Sequence, residues 1–431
     1  MQYQEMYRQK LITAEEAVQK VSSHDEIIVG DVASEPVALL EKLHTIKDRV
    51  ENVSVVMILP LREYDFYMKP EMNGHFLLNS MFHGAGPRKA HPLGTVSYNP
   101  THLNHCLTRR MTVKKPTIFF GTVAPMDAHG YFCLSLGVTY EKDAIENADL
   151  VILEVNEAMP RTSGDTWVHI RDVDFLVENT RPLPGLPPIS PTEKDIAIGR
   201  YIAELVEDGS TIQLGIGGIS NAAALFLAEK RDLGIHTEML SDSVVDLVEA
   251  GAVTGKCKTL WKDKIVATFV FGSQKIYDFV HGNPSVELHR GGIVNDPCII
   301  GKNFKMVSIN TTLEVDLLGQ CCSESIGSRQ YSGTGGGADT AIGAQRSCGG
   351  KSIVALYSTA KNGTVSSIAP VLSPGAAVTL SRNDVDYVVT EYGIAHLRGC
   401  NVRERVQKLI DIASPDFRDY LREEAQKLSL W

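Results

Sequence analysis

Short runs of aliphatic and β-branched residues recur along this chain, separated by stretches whose apolar positions fall at helical spacing. In the first half, Glu26–Val32, Val53–Leu59, His75–Leu78, Thr117–Val123 and Val151–Val155 read as strands. Helices are expected at Ala14–Val21, opened by Thr13 with Glu15 and Glu16 in its first turn, at Pro36–His44 and at Lys142–Ala148. Strands alternating with helices predict a mostly parallel sheet covered by helices.

Between Arg181 and Pro191 there are five prolines in eleven residues, which neither a helix nor a central strand tolerates. This stretch divides the chain into an expected N-terminal α/β domain, residues 1–185, and a second, residues 192–431. The second opens with a long helix pattern, Thr192–Glu207, and continues with strands at Thr211–Leu214, Ile235–Leu240, Ile265–Phe271, Met306–Ile309, Ile353–Tyr357, Ala377–Leu380 and Tyr387–Thr390. A helix Ala222–Lys230 follows the first of these, and Val402–Ala413 and Phe417–Leu428 form a helical tail parted by Pro415. The fold class is therefore α/β, with two domains of mostly parallel sheet covered by helices.

Composition narrows the partners. A length of 431 residues exceeds what one hydrophobic core of roughly 250 to 300 residues fills. A net charge of −10 gives no electrostatic footprint for nucleic acid or an anionic membrane, and neither partner is expected. The N-terminal residues lack an apolar signal core, and no run of about 18 apolar residues occurs, so a cytoplasmic protein is expected. The eight cysteines include no Cys-x-x-Cys pair, and no metal and no disulfide is assigned.

Three segments carry candidate chemistry. Glu238, in Gly234-Ile235-His236-Thr237-Glu238-Met239-Leu240-Ser241-Asp242, stands at the end of an expected strand, where ligands bind in open α/β sheets. A solvated acid at a strand end is the alternative. The turn Gln213-Leu214-Gly215-Ile216-Gly217-Gly218-Ile219-Ser220-Asn221 lies between a strand and a helix, where bare amides favour an anion. It lacks the third glycine of a dinucleotide fingerprint and the Gly-Lys-Ser/Thr of a P-loop, and tight strand-to-helix packing accounts for it equally well. In Gly333-Thr334-Gly335-Gly336-Gly337, four glycines in five residues have a high ordering cost, and consecutive amides there can converge on a developing oxyanion. His83, His91, His102 and His105 lack metal-ligand spacing; Arg109-Arg110 with Lys114-Lys115 reads as a solvated turn, and Lys361 as a surface lysine able to meet a phosphate. A carboxylate with oxyanion donors fits nucleophilic acyl chemistry.

These motifs, together with Val123–Tyr131, Glu154–Arg161, Tyr387–Ala395 and Ala413–Arg418 in the same order, resemble the acetyl-CoA hydrolase/transferase family over nearly the whole chain. Within it the likeness is strongest to members that act on 4-hydroxybutyrate, with butyryl-CoA:acetate members close by. The resemblance implies that Glu238 is the nucleophile of a ping-pong CoA transfer from acetyl-CoA to a short-chain acid, through a glutamyl-CoA thioester. It implies CoA contacts at Gln213, Leu214, Gly215, Ile216, Gly217, Gly335, Gly336 and Lys361, an active site between the domains, and an acyl pocket drawn from Asp31–Pro36 and Met81–Arg88. It further implies CoA esters as substrates with no bound cofactor, and a homodimer. Two departures bear on the acid: Gly337-Ala338-Asp339-Thr340 replaces a Gln-Val/Leu-Asp-Phe run common in the family, and Asp31 stands where many 4-hydroxybutyrate enzymes have histidine. The competing readings are a hydrolase on the same scaffold, with water as acceptor, and a non-catalytic metabolite sensor, which leaves Glu238 without a purpose.

Overall fold

The computed structural model describes residues 2–187 and 189–430, so position 188 of the proline-rich stretch lies outside the described residues. Two compact units emerge: Met1–Leu186 with Val266–Val294, and Pro187–Ile265 with Asn295–Trp431. A single cut at the prolines therefore does not describe the first unit, because Val266–Val294 returns to it. That return is held by the pairing of Glu287 and Leu288 with Ser163 and Gly164. The Val138 amide donates to the Thr268 carbonyl at 3.0 Å, and Arg290 forms ion pairs of 2.6 Å with Asp143, Glu146 and Asp165.

The first unit is built on seven parallel strands: β1 (Glu26–Val29), β2 (Val53–Met57), β3 (Phe76–Ser80), β4 (Val96–Tyr98), β5 (Ile118–Val123), β6 (Leu150–Val155) and β7 (Phe175–Glu178). Their order is β7-β6-β5-β1-β2-β3-β4. The residues of β1 and β5 are buried throughout, as their largely apolar runs suit central strands covered on both faces. Ile27, Val29, Val55, Leu78 and Phe120 pack with Val37, Leu40 and Leu43 of the helix Val37–Leu43 in one core. Each such side chain contributes on the order of 2 kcal/mol through burial.

The second unit carries β8 (Thr211–Leu214), β9 (Gly234–Ile235), β10 (Met306–Thr311), β11 (Lys351–Ala355), β12 (Tyr387–Thr390) and β13 (Gly393–His396), in the order β9-β8-β10-β11-β12-β13. All neighbours are parallel except β12 and β13. The helix Glu193–Leu205 begins at a capping box between Thr192 and Asp195. Because the chain runs from β8 outward to β9 and then back past β8 to β10, the loops after β8 and β10 diverge and leave a crevice at the carboxyl end of the sheet.

Three expected strands change. Ile235–Leu240 is interrupted between Ile235 and Met239, and Ile265–Phe271 is split at Thr268. Ala377–Leu380 is not a strand: the Ala377 amide goes to Ser325 Oγ at 2.9 Å, and Leu380 makes only an isolated bridge to Cys321. In each case the apolar run is real, but the backbone partners come from elsewhere.

Candidate functional site

Glu238 occupies the interruption. The chain leaves the sheet after the His236 amide bonds the Ile212 carbonyl at 3.1 Å. Thr237 Oγ1 then donates to the Met239 carbonyl at 3.1 Å, closing a tight turn that replaces strand pairing. Downstream, the helix Asp242–Glu249 starts almost at once. Glu238 thus sits at the carboxyl end of the edge strand, beside the end of β8.

One oxygen of its carboxylate is held. Oε2 accepts from Asn295 Nδ2 at 3.1 Å, and the backbone N–H of Gly336 faces the same carboxylate. No side-chain donor among the described residues takes Oε1. Gly336 has no alternative at its position, since a Cβ there would lie 1.9 Å from Glu238 Oε2 and 2.0 Å from Asn295 Nδ2. The second glycine loop is bare because the carboxylate fills the space a side chain would need. Gly335 takes a positive φ of 54°, and Gly336 then caps the helix Gly337–Arg346. Asn310 Nδ2 bonds Thr340 Oγ1 at 3.0 Å and pins the first turn of that helix. Glu324 holds the approach to the loop, accepting from Thr334 Oγ1 at 3.1 Å.

Burial pushes the Glu238 carboxyl up to about 7, against the opposing pull of the Asn295 and Gly336 donors. The residue retains some exposed surface, yet its carboxyl lies deep among protein atoms, and depth rather than contact area governs its hydration. Asn295 is wholly buried, and its Oδ1 has no hydrogen-bond partner. Nothing in the sequence singled Asn295 out; its only local signal is the helix start Asn295-Asp296-Pro297.

The first glycine turn divides by role. Gln213 and Leu214 are buried, and Gln213 Oε1 accepts from the Ile309 amide at 3.0 Å, so this end of the side chain stitches β8 to β10. Gly215, Ile216 and Gly217 are the open residues of the turn. Gly217 has a φ of 105° and nothing near its Cβ position, whereas a Cβ on Gly218 would lie 2.6 Å from Asp195. Strand-to-helix packing therefore explains Gly218, while Gly217 faces open space and Ile216 is exposed at the turn. Thr237 Oγ1 lies 3.4 Å from the Leu214 carbonyl, which sets the Glu238 segment against this turn.

Lys361 stands apart. It is exposed at the tip of the hairpin joining Thr359–Ala360 to Val365–Ser366, with a φ of 48°. No hydrogen bond or ion pair joins it to Glu238 or to the glycine turns. Nearby, Lys194 pairs with Glu391 at 2.8 Å and donates to Thr359 Oγ1 at 3.2 Å.

Within the first unit, Asp31–Pro36 follow β1 and Met81–Arg88 follow β3. Asp31 Oδ2 accepts from Thr139 Oγ1 at 3.1 Å, and Glu35 accepts from the Leu61 amide at 2.6 Å and from the Tyr64 hydroxyl at 2.9 Å. His83 bonds His91 at 3.0 Å, and burial foremost lowers His83 to about 4. Arg110 is ion-paired with Glu26. Among the described residues no group of three or more His, Cys, Asp or Glu could hold a metal ion, and no helix is long and apolar enough to cross a membrane.

A buried carboxylate held by an asparagine and facing a glycine-loop amide, at the carboxyl edge of a parallel sheet, suits an enzyme that transfers groups through a carboxylate. The comparisons place that enzyme. Residues 1–187 match the acetyl-CoA hydrolase/transferase N-terminal domain and residues 272–425 its C-terminal domain. A 4-hydroxybutyrate coenzyme A transferase of Clostridium kluyveri is 45% identical over 99% of this chain and 100% of its own length. A succinyl-CoA:cyclohexane-1-carboxylate CoA transferase of Geobacter metallireducens is 46% identical over 99% of this chain and 97% of its own. The crystal structure of RipA from Yersinia pestis, 38% identical, superposes with a TM-score of 0.94 over the full length of both chains. The chain belongs to the acetyl-CoA hydrolase/transferase family, and it is a CoA-transferase.

Proposed function

We propose that this enzyme moves CoA from acetyl-CoA to a short-chain carboxylic acid, 4-hydroxybutyrate, with Glu238 as covalent nucleophile. The observation that carries the reading is the asymmetry of the Glu238 carboxylate: Oε2 is held by Asn295 at 3.1 Å, with the Gly336 amide facing the carboxylate, while no side-chain donor among the described residues takes Oε1. Oε1 attacks the thioester carbonyl, forming a mixed anhydride and releasing CoA thiolate. The thiolate attacks the glutamyl carbonyl, whose oxygen already faces the Asn295 donor, and the first acid leaves. The resulting glutamyl-CoA thioester is opened by the second acid through the reverse steps. Each step is a substitution at an acyl carbon, so the chemistry calls for no metal or redox group, and CoA enters only in its esters. Gly215, Ile216 and Gly217 offer an open turn for CoA beside the nucleophile, along with Gly335 and Gly336. In this reading Gln213 and Leu214 contribute through the backbone and framing of that turn, and Lys361 through an exposed ammonium able to meet a CoA phosphate.

The choice of 4-hydroxybutyrate leans on the Clostridium kluyveri relative; the Geobacter metallireducens relative, of nearly equal identity, is named for a different acid. The acid is therefore assigned by comparing rates with 4-hydroxybutyrate, butyrate and cyclohexane-1-carboxylate, the first expected to be fastest. We also assign a cytoplasmic location, supported by eight cysteines that are all unpaired, and a homodimer, which sedimentation would test.

The deciding experiment is mass spectrometry after incubation with acetyl-CoA and no acceptor acid. A covalent CoA adduct on Glu238, absent from Glu238→Ala, is expected. Turnover of acetyl-CoA without added carboxylate and without an adduct would instead make the enzyme a hydrolase.

A further inference from the structure

Behind Glu238 lies a set of buried polar ties that the proposed chemistry does not use. Lys258 is 4% exposed, and its ammonium donates to the Ile235 carbonyl at 2.8 Å and to the Lys264 carbonyl at 2.7 Å. Ile235 is the last residue of β9, so the ammonium takes the carbonyl at the point where the edge strand stops. The stem of Lys258 crosses so close to the strand that a Cβ on Gly234 would lie 2.3 Å from its Cγ. An ammonium is expensive to bury and remains only where several carbonyls replace its water.

Asn303 supplies a second tie. It is wholly buried, and its Oδ1 accepts from the Leu260 amide at 3.3 Å. That bond fixes the orientation of the amide, leaving Nδ2 to donate to His236 Nδ1 at 3.3 Å and placing the ring proton on Nε2. The His236 ring also meets Trp261, with centroids 5.8 Å apart. Trp261 and Asp263 both hold positive φ values, 49° and 62°. A bulky residue in that region persists only where its surroundings over-determine it. The loop at 255–264 is thus a strained brace, joined to Ile235 by Lys258 and to His236 both directly and through Asn303.

We infer that Lys258 and Asn303 are positioning residues for the nucleophile: they hold the outer edge of the strand at Ile235 and lock His236, and so fix the direction in which Glu238 leaves the turn. Neither reaches the carboxylate, so the effect passes through the backbone of residues 235–238. The inference rests on the covalent role of Glu238. Misplacing a reacting group by about 1 Å costs on the order of a hundredfold in rate, whereas binding of the distal parts of a substrate is unaffected.

The test is the rate at which the CoA adduct forms, by rapid quench and mass spectrometry across a range of acetyl-CoA concentrations. For Lys258→Met, which keeps the stem and removes the ammonium, the limiting rate is expected to fall at least about tenfold while the half-saturating concentration stays within about twofold. Asn303→Ala is expected to show the same split with a smaller fall, and it decides the matter if Lys258→Met does not fold. Folded variants with an unchanged limiting rate would overturn the inference. So would a rise in half-saturating concentration as large as the fall in rate, which marks general damage. A parent enzyme that forms no adduct at all would bring down the covalent reading itself, a different failure from variants that form it at the parent rate.

Discussion

Gly336 bears the tightest steric demand on the carboxylate. With a Cβ only 1.9 Å from Glu238 Oε2, Gly336→Ala must push the carboxylate or Asn295 aside, and a drop in kcat of about a hundredfold is expected, with the fold checked by circular dichroism. Burial sets a second property of the same residue. In the proposed mechanism Glu238 attacks as the carboxylate, and its carboxyl is raised to about 7, so adduct formation should rise with pH through that value and level off above it. Below it the rate should fall about tenfold per pH unit. Because the Asn295 donor opposes the rise, Asn295→Ala should move the limb to higher pH. A pH–rate profile of the first half-reaction checks both statements.

Elements were legible wherever an unbroken apolar run met its partner in an adjacent strand. Thr211–Leu214 and Tyr387–Thr390 appear with the bounds the sequence suggested, and β5 and β6 differ by a single residue at their starts. The interruption around Glu238 was not legible, because what replaces pairing there is the Thr237 hydroxyl bonding the Met239 carbonyl, and a β-branched residue in an apolar run reads as strand. The glycine loop was readable as a place where amides meet an oxygen, and the Gly336 amide does meet one. Family motifs, rather than periodicity, pointed to which oxygen. Asn295 escaped notice since a lone asparagine before a helix reads as a cap, and its contact with Glu238 arises only when distant segments meet. Gln213, which the family resemblance implied as a CoA contact, also serves the sheet: its side-chain oxygen accepts from the Ile309 amide, a partner no local pattern announces.

At the scale of the whole molecule, buried acids of the first unit should shape stability. Burial raises both Glu35 and Glu154 to about 7. Between the ordinary carboxyl range and that value the folded chain binds more protons than the unfolded one, so stability declines as pH rises from about 4.5 to about 7. Glu35→Gln keeps an oxygen for the Leu61 amide and removes one titration. Urea unfolding at pH 5 and pH 8 should then show a smaller difference than in the parent, by on the order of 3 kcal/mol at most. The unit itself is assembled from two separated lengths of chain, Met1–Leu186 and Val266–Val294. A gene split at the proline-rich stretch would accordingly yield two unequal translation products, neither self-sufficient: the first would lack the Arg290 anchor for its acids, and the second would carry that anchor as an orphan insert. Asn295 is the first residue after that insert, so a deletion made to tidy the second product would end at the donor to Glu238.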